Sequence, residues 1–467
     1  MTKPLWQWSA CDLAAAIRAK EISCVEATEA AIGRLREANP ALNAVTVDLS
    51  EDAIEAAKKA DQVAATDVAL GPLHGVPITI KENVDVKGQA TPNGIPAFAD
   101  MIAPDDSPLT KSLKEAGAII IGRTNTPEFS FRVFTDNPLR GMTKNPWNAE
   151  VTCGGSSGGA GASVAAGIGA MAHGNDIGGS LRIPAFCNGV TTIKPTLGRV
   201  PSFNPSAPVE RPPLMQIMSV QGPIAREVRD LRLSLDVMAK GDPRDPWWVP
   251  APLHGPQPAE PIRIAKTTNS YGRPIHPAVK QAIDQAAHHL EDAGYAIEEV
   301  DPPNIEEVMA LFQDLIFTEM HVMMGDLIDQ VASDDMKQVV SAYYKMSTVR
   351  EQKSYMEGLA DRTKLLRQWT EFLDTRPLVL CPAILQPPFP INEDLKGDEA
   401  VKRVFDALLY ISSFNLLGLP SSIAPVLVDD GLPIGAQIVG GRYREDLCMD
   451  AAQAIEARVG LLCEQIW

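Results

Sequence analysis

Helix-like and strand-like patterns alternate along most of this chain, which predicts an α/β protein in which a β-sheet is covered by helices. Three observations carry that expectation. The alternation is plain in the first third; it resumes after an irregular stretch at residues 241–261; and 45% hydrophobic residues in 467 support a substantial core. The whole chain, 1–467, reads as one domain.

Residues 14–36 carry apolar side chains at helical spacing, with Ser23 as a local cap. Val76, Ile78 and Ile80 then alternate in the manner of a half-buried strand ending at Lys81. Residues 109–115 read as a helix, Gly117 as its stop, and the apolar run Ala118-Ile119-Ile120-Ile121 as the next strand. Two glycine-rich turns follow, Gly154-Gly155-Ser156-Ser157-Gly158-Gly159 and Asp176-Ile177-Gly178-Gly179-Ser180, joined by what reads as a single small-residue helix.

The segment 241–261 is rich in Pro, Asp and Trp and reads as a long irregular connection between parts of one domain. Beyond it, residues 262–265 and 295–300 read as strands and 278–293 as a helix. Residues 304–375 are predominantly helical in pattern and hold Met309, Met320, Met323, Met324, Met336, Met346 and Met356. Methionine adapts its shape cheaply, so these side chains suit either ordinary core or the wall of a pocket for a bulky apolar ligand. Residues 422–431 end in Asp430-Gly431, a hairpin-turn signal.

A formal net charge of -17 argues against nucleic acid or anionic membrane as a partner, since a phosphate-binding protein usually needs a basic face and no basic patch is visible in the sequence. The N-terminal residues lack the basic and apolar regions of a secretory signal. The longest uncharged small-residue stretch, 158–172, falls short of the roughly 18 residues that span a bilayer. A soluble, cytoplasmic protein is expected. Seven scattered cysteines without a C-x-x-C pair, and histidines without ligand spacing, predict neither a disulfide framework nor a metal.

Chemistry concentrates at residues 154–180. Glycines beside a hydroxyl let backbone N–H groups approach a carbonyl that becomes an oxyanion, which points to acyl transfer. Gly154-Gly155-Ser156-Ser157-Gly158 satisfies G-x-S-x-G, but the preceding Asn145-Pro146-Trp147-Asn148-Ala149-Glu150 is loop-like where a nucleophile elbow needs a strand. No Walker pattern is present, and residues 167–172 hold only a degenerate dinucleotide fingerprint inside an apparent helix. Lys81, directly after an apolar strand pattern, offers a different base: burial disfavours its ammonium form. The competing reading pairs Lys81 with Glu82, Asp85 or Asp176 at a strand end.

Taken together, these segments resemble the amidase signature hydrolases, which include amidases, aryl acylamidases and urethanase-like enzymes. The resemblance rests on Gly71-Pro72-Leu73-His74-Gly75-Val76-Pro77-Ile78-Thr79-Ile80-Lys81, Thr124-Asn125-Thr126-Pro127-Glu128-Phe129, Thr143-Lys144-Asn145-Pro146-Trp147, the run 154–159, Gly178-Gly179-Ser180, Arg182-Ile183-Pro184 and Lys194-Pro195-Thr196, all in family order. It implies a large mixed β-sheet sandwiched between α-helices, with a variable helical insertion at 304–375. It also implies a Ser-Ser-Lys triad in which Ser180 attacks, Ser156 relays the proton and Lys81 is the base. The oxyanion hole would come from the backbone N–H groups of Ile177, Gly178, Gly179 and Ser180, and a cis peptide would precede Ser156 or Ser157.

No cofactor is implied. The expected partner is a small-molecule amide, anilide or carbamate, a homodimer stays open, and the helical insertion favours a bulky or aryl substrate. Arg182 would fix the serine loop through Asp176, while Phe131, Val133 and Phe134 suit either the acyl pocket or the core. Asn175 and Ile177 stand where the family commonly has Thr, and Phe186-Cys187-Asn188-Gly189 is shifted against the familiar order. The alternatives are a urethanase, a component that transamidates aminoacyl-tRNA, and an inactive binding protein that keeps the fold.

Overall fold

The computed structural model describes residues 3–467. The strands are β1 (Val45–Asp48), β2 (Pro77–Lys81), β3 (Ile119–Thr124), β4 (Met171–Asp176), β5 (Thr191–Lys194), β6 (Val220–Ala225), β7 (Arg263–Lys266), β8 (Ala296–Glu299), β9 (Leu378–Pro382), β10 (Ser421–Asp429) and β11 (Leu432–Gly440). They form one 11-stranded sheet in the order β1-β3-β2-β4-β6-β5-β10-β11-β9-β7-β8. The sheet is mixed: β2 runs parallel to β3 and β4, and β7 parallel to β8 and β9, while β4–β6, β5–β10 and β10–β11 are antiparallel. Helices cover it, as the α/β pattern predicts.

Several local expectations change in three dimensions. The helical run at 14–36 is two helices, Ala10–Arg18 and Cys24–Leu42. Ser23 caps the second: its Oγ accepts from Glu26 N at 3.0 Å while the Glu26 carboxylate accepts from Ser23 N at 2.8 Å. β2 is buried along its whole length, not half-buried, because it is a central parallel strand between β3 and β4.

The two serine turns are joined by more than a helix. The helix Gly158–Ala165 ends early, since Gly167 and Gly169 take φ of 80° and 76°, and the chain continues as β4. The degenerate fingerprint at 167–172 therefore lies in a turn and a strand, not within a helix. Asp429 pairs with Leu432, so Asp430-Gly431 forms the two-residue turn of a hairpin as expected.

The chain between β8 and β9 is helical: Ile305–Glu319, Gly325–Val331, Asp334–Met346 and Gln352–Thr375, with a π-helical turn at Met320–Met324. Its methionines divide between both expected roles. Met309 and Met336 are core, Met320 and Met324 line cavities, and Met323 and Met356 are exposed. No helix among the described residues is long and apolar enough to cross a membrane.

Candidate active site

Because β2 and β4 are parallel neighbours, their carboxyl ends emerge on one edge of the sheet, where open α/β sheets bind ligands. Lys81 is the last residue of β2, and Asn175-Asp176 end β4, leading into the loop that carries Ser180. Lys81 is fully buried, and its Nζ lies 2.7 Å from Ser156 Oγ and 2.7 Å from Asn175 Oδ1.

None of the carboxylates proposed as partners for Lys81 pairs with it among the described residues. Glu82 pairs with Arg140 at 2.5 Å, Asp85 accepts from Ser206 Oγ at 2.7 Å, and Asp176 pairs with Arg182 at 3.0 Å. Burial therefore holds the Lys81 amine well below the ordinary lysine range, with Asp176 pulling the other way.

The peptide bond between Gly155 and Ser156 is cis. Ser156 and Ser157 are separated in function by their surroundings. Ser157 Oγ donates to Asn175 O and accepts from Asn175 N, both at 3.3 Å, so its hydroxyl is spent on the β4 backbone while Ser156 faces the lysine. Ser157 N in turn donates to Ser180 O at 3.3 Å, which sets the two serine turns side by side.

The Ser180 loop is built on a buried ion pair. Arg182 donates to both oxygens of Asp176, at 3.0 and 3.1 Å, and also to Ile411 O, Gln437 Oε1 and Asn415 Oδ1. Burial alone would raise the Asp176 carboxyl, yet Arg182, Lys194 and the Asn415 amide hold it far below the usual carboxylate range. Thus Arg182 fixes the loop, as expected, and makes no contact that leaves it free for a ligand.

The same carboxylate accepts Gly179 N–H at 2.7 Å and Leu181 N–H at 3.1 Å. This differs from the expectation for Gly179: Asp176, turned under the loop by Arg182, has already taken its N–H. The N–H groups of Ile177, Gly178 and Ser180 have no acceptor among the described residues. Gly179 matters by shape instead, since its φ is 123° and an added Cβ would lie 2.2 Å from Ile411 Cγ2.

Two cavities meet here. Ser180 borders an apolar recess walled by Phe131, Phe312, Phe317, Tyr343 and Phe405. Ser156 and Asn175 border a more polar cleft that also exposes Asn83, Asn204 and Arg211. Phe131 and Val133 line the recess, whereas Phe134 is core, its ring 6.4 Å from that of Phe389.

The recess is rigid by stacking. Phe317 and Tyr343 lie 5.0 Å apart, with Phe405 edge-on to both. Of this aromatic wall the sequence pointed only to Phe131; it gave no sign of Phe312, Phe317, Tyr343 and Phe405, of Asn83 just beyond Lys81, or of Ser412 and Asn415, which reach the site from a distant segment. Asn175 carried a signal, its departure from the family pattern.

Thiol chemistry has no support here. Burial pushes the Cys153 thiol up to about 12 and Cys187 well above the ordinary value, so neither supplies thiolate at neutral pH. Among the described residues no group of three or more His, Cys, Asp or Glu side chains could hold a metal ion.

A buried lysine, two serines in glycine turns and backbone N–H groups without an acceptor among the described residues thus lie together at one edge of a mixed sheet. The profile of the Amidase family matches residues 26–449, and the chain belongs to that family of amide hydrolases, which act on carbon–nitrogen bonds. It is 52% identical over 99% of its length to the indoleacetamide hydrolase of Bradyrhizobium diazoefficiens, of which it covers 89%. It is 30% identical to a glutamyl-tRNA(Gln) amidotransferase subunit of Moorella thermoacetica, covering 97% of this chain and 96% of that one. Among solved structures, a bacterial aryl acylamidase of the amidase signature family superposes with a TM-score of 0.85 at 26% identity, covering 99% of this chain and 98% of the other.

Proposed function

We propose that this chain hydrolyses arylacetamides through an acyl-enzyme on Ser180, with Ser156 as proton relay and Lys81 as general base. The observation that carries the reading is the Lys81–Ser156 contact of 2.7 Å, made by a buried lysine without a carboxylate partner. An unprotonated amine in that position can accept a proton at neutral pH.

In the acylation step Ser180 Oγ bonds to the substrate carbonyl carbon, its proton passes to Ser156 Oγ, and the Ser156 proton passes to Lys81 Nζ. The oxygen of the tetrahedral intermediate accepts from the N–H groups of Ile177, Gly178 and Ser180, each such donor contributing about 3 kcal/mol in comparable sites. As the C–N bond breaks, Ser156 gives its proton to the departing nitrogen and recovers one from Lys81. Water then attacks the ester carbonyl by the same relay, releasing the acid and restoring Ser180.

The aromatic recess beside Ser180 supports an aryl acyl group, and the relative at 52% identity supports indoleacetamide itself. We assign selection of that group to the helical stretch 305–375, which supplies Phe312, Phe317 and Tyr343. A carbamate carbonyl would use the same N–H donors, so an aryl carbamate belongs in the same panel.

The test is release of ammonia and indoleacetate from indoleacetamide, compared with acetamide and an aryl carbamate. Faster turnover of indoleacetamide is expected, and equal rates on acetamide would sink the aryl assignment. Full activity in Ser180→Ala would sink the mechanism. The amidotransferase relatives at 30% identity suggest a second reading, a transamidating component that needs partners. Hydrolysis by the isolated chain eliminates that need.

A further inference from the structure

Among the described residues, Asn175 is the one side chain besides Ser156 that hydrogen-bonds the Lys81 amine. Its Oδ1 lies 2.7 Å from Nζ, and its Nδ2 donates to Asn83 Oδ1 at 2.9 Å. Asn83 Nδ2 returns a bond to Asn175 Oδ1 at 3.3 Å and donates to Ser130 Oγ at 2.9 Å, and Ser130 donates to Asn93 Oδ1 at 2.6 Å. Flipping the Asn175 amide by itself would set NH2 against NH2 and oxygen against oxygen across its contact with Asn83.

We propose that Asn175 is a positioning residue for the base: its oxygen holds the Lys81 amine with the lone pair on Ser156, and it brings no counter-charge to that amine. The proposal rests on Lys81 being the base, as argued above. A neutral amine has two N–H groups and one lone pair. A hydroxyl in this position, such as the family's Thr, could donate to that lone pair and draw it away from Ser156, whereas an amide oxygen can only accept. Facing Asn175, Lys81 must donate, and its lone pair is left for the serine.

Charge supports the same role. On β4, Asp176 is matched by Arg182 and Asn415, and burial beside Gln221 holds His173 neutral. On β3, Arg123 donates to the carbonyls of Glu82, Val84 and Ala90. Beyond β2, Glu82 is matched by Arg140 and Asp85 bonds to Ser206. Lys81 thus finds only neutral acceptors, and a carboxylate at position 175 would supply the missing counter-charge.

The test is the pH profile of kcat/KM on an arylacetamide for the wild type and for Asn175→Asp and Asn175→Thr. In Asn175→Asp the acid limb is expected to move up by about 1 to 3 pH units, the shift an adjacent opposite charge produces. In Asn175→Thr the limb is expected to stay near that of the wild type while kcat falls. The pH dependence of fluorophosphonate labelling at Ser180 should follow the same limbs without any substrate.

A uniform loss at every pH with an unmoved limb in Asn175→Asp would overturn the proposal, since that is the mark of a merely structural residue. Should Asn175→Asp not fold, Asn83→Asp is expected to shift the limb in the same direction by less, and no shift there overturns it equally. Lys81→Met separates the two failures. Retained activity in Lys81→Met defeats the base assignment itself, while an inactive Lys81→Met beside an unmoved Asn175→Asp limb defeats only the role of Asn175.

Discussion

A lysine that no carboxylate neutralises costs the fold something, and that cost can be measured. Its amine releases its proton more readily in the folded chain than in the unfolded one, where the ordinary value is about 10.4. Across the window from the lowered value up to that ordinary one, the unfolded state binds more protons, so this group's contribution to stability rises with pH. Lys81→Met is expected to raise Tm at pH 7 and to flatten this dependence, while lowering kcat by at least about 10³-fold. Thermal melts and turnover on the same preparation check both. Ser180→Ala and Ser156→Ala should each fall to a similar floor, and the double variant little further, because residues that act as a unit do not add. Steady-state kinetics on the three proteins is the measurement, and additive losses would mean that the two serines do not share one step.

Two elements position these residues, and each gives its own prediction. The Ser180 loop hangs on Asp176 and Arg182, both completely buried. Arg182→Leu leaves the carboxylate without its charge partner and should destabilise the fold by about 3 to 5 kcal/mol in denaturant unfolding. Gly179→Ala, in contrast, is expected to lose activity, since its Cβ would meet Ile411 Cγ2 at 2.2 Å. The second element is the helix Asp334–Met346, tied to the loop at 128–134 by Tyr343 OH donating to Phe131 O at 3.0 Å and by Ser333 N donating to Glu128 at 2.9 Å. Tyr343→Phe removes the first tie while keeping the ring stack. It should raise KM for an aryl amide about fivefold, the worth of one ordinary hydrogen bond, and leave kcat nearly unchanged.

At the scale of the whole molecule the central sheet is where acid acts. His173 on β4 is fully buried, and that burial pushes its imidazole down to about 3, only partly offset by Gln221. The folded chain leaves this ring neutral while the unfolded one protonates it near 6.5, so its contribution is full above that value and is lost as pH falls toward 3. Between pH 7 and pH 5 the loss should be about 2 kcal/mol. Urea unfolding of the wild type and His173→Gln at the two pH values reads it as a difference that His173→Gln lacks.

Much of this was legible in the chain. Alternation marked β2, apolar runs marked β3 and β7, and the Asp430-Gly431 turn signal marked the β10–β11 hairpin, because buried strands and tight turns both impose local residue requirements. Lys81, Ser156 and Ser180 stood out for a related reason: each sits in a short motif whose glycines or flanking strand are local requirements. Less was legible where a helix ended early, as at Gly167 and Gly169, since small residues fit a helix, a turn or a tight strand alike.

By itself, then, the sequence determined the α/β class, the two glycine-rich serine turns and the lysine at the end of an apolar strand, all of them matters of near neighbours. Tertiary structure alone decided the rest. It gave Lys81 the side chain of Asn175 instead of a carboxylate, tied Ser157 Oγ to the β4 backbone, and committed Gly179 N–H to Asp176. It also walled the recess with aromatic side chains from Phe131 to Phe405. Such choices depend on closure over long stretches, as when Asn415 reaches Asp176 across 239 residues, and no local pattern records which of several equally good partners the packed core will bring within reach.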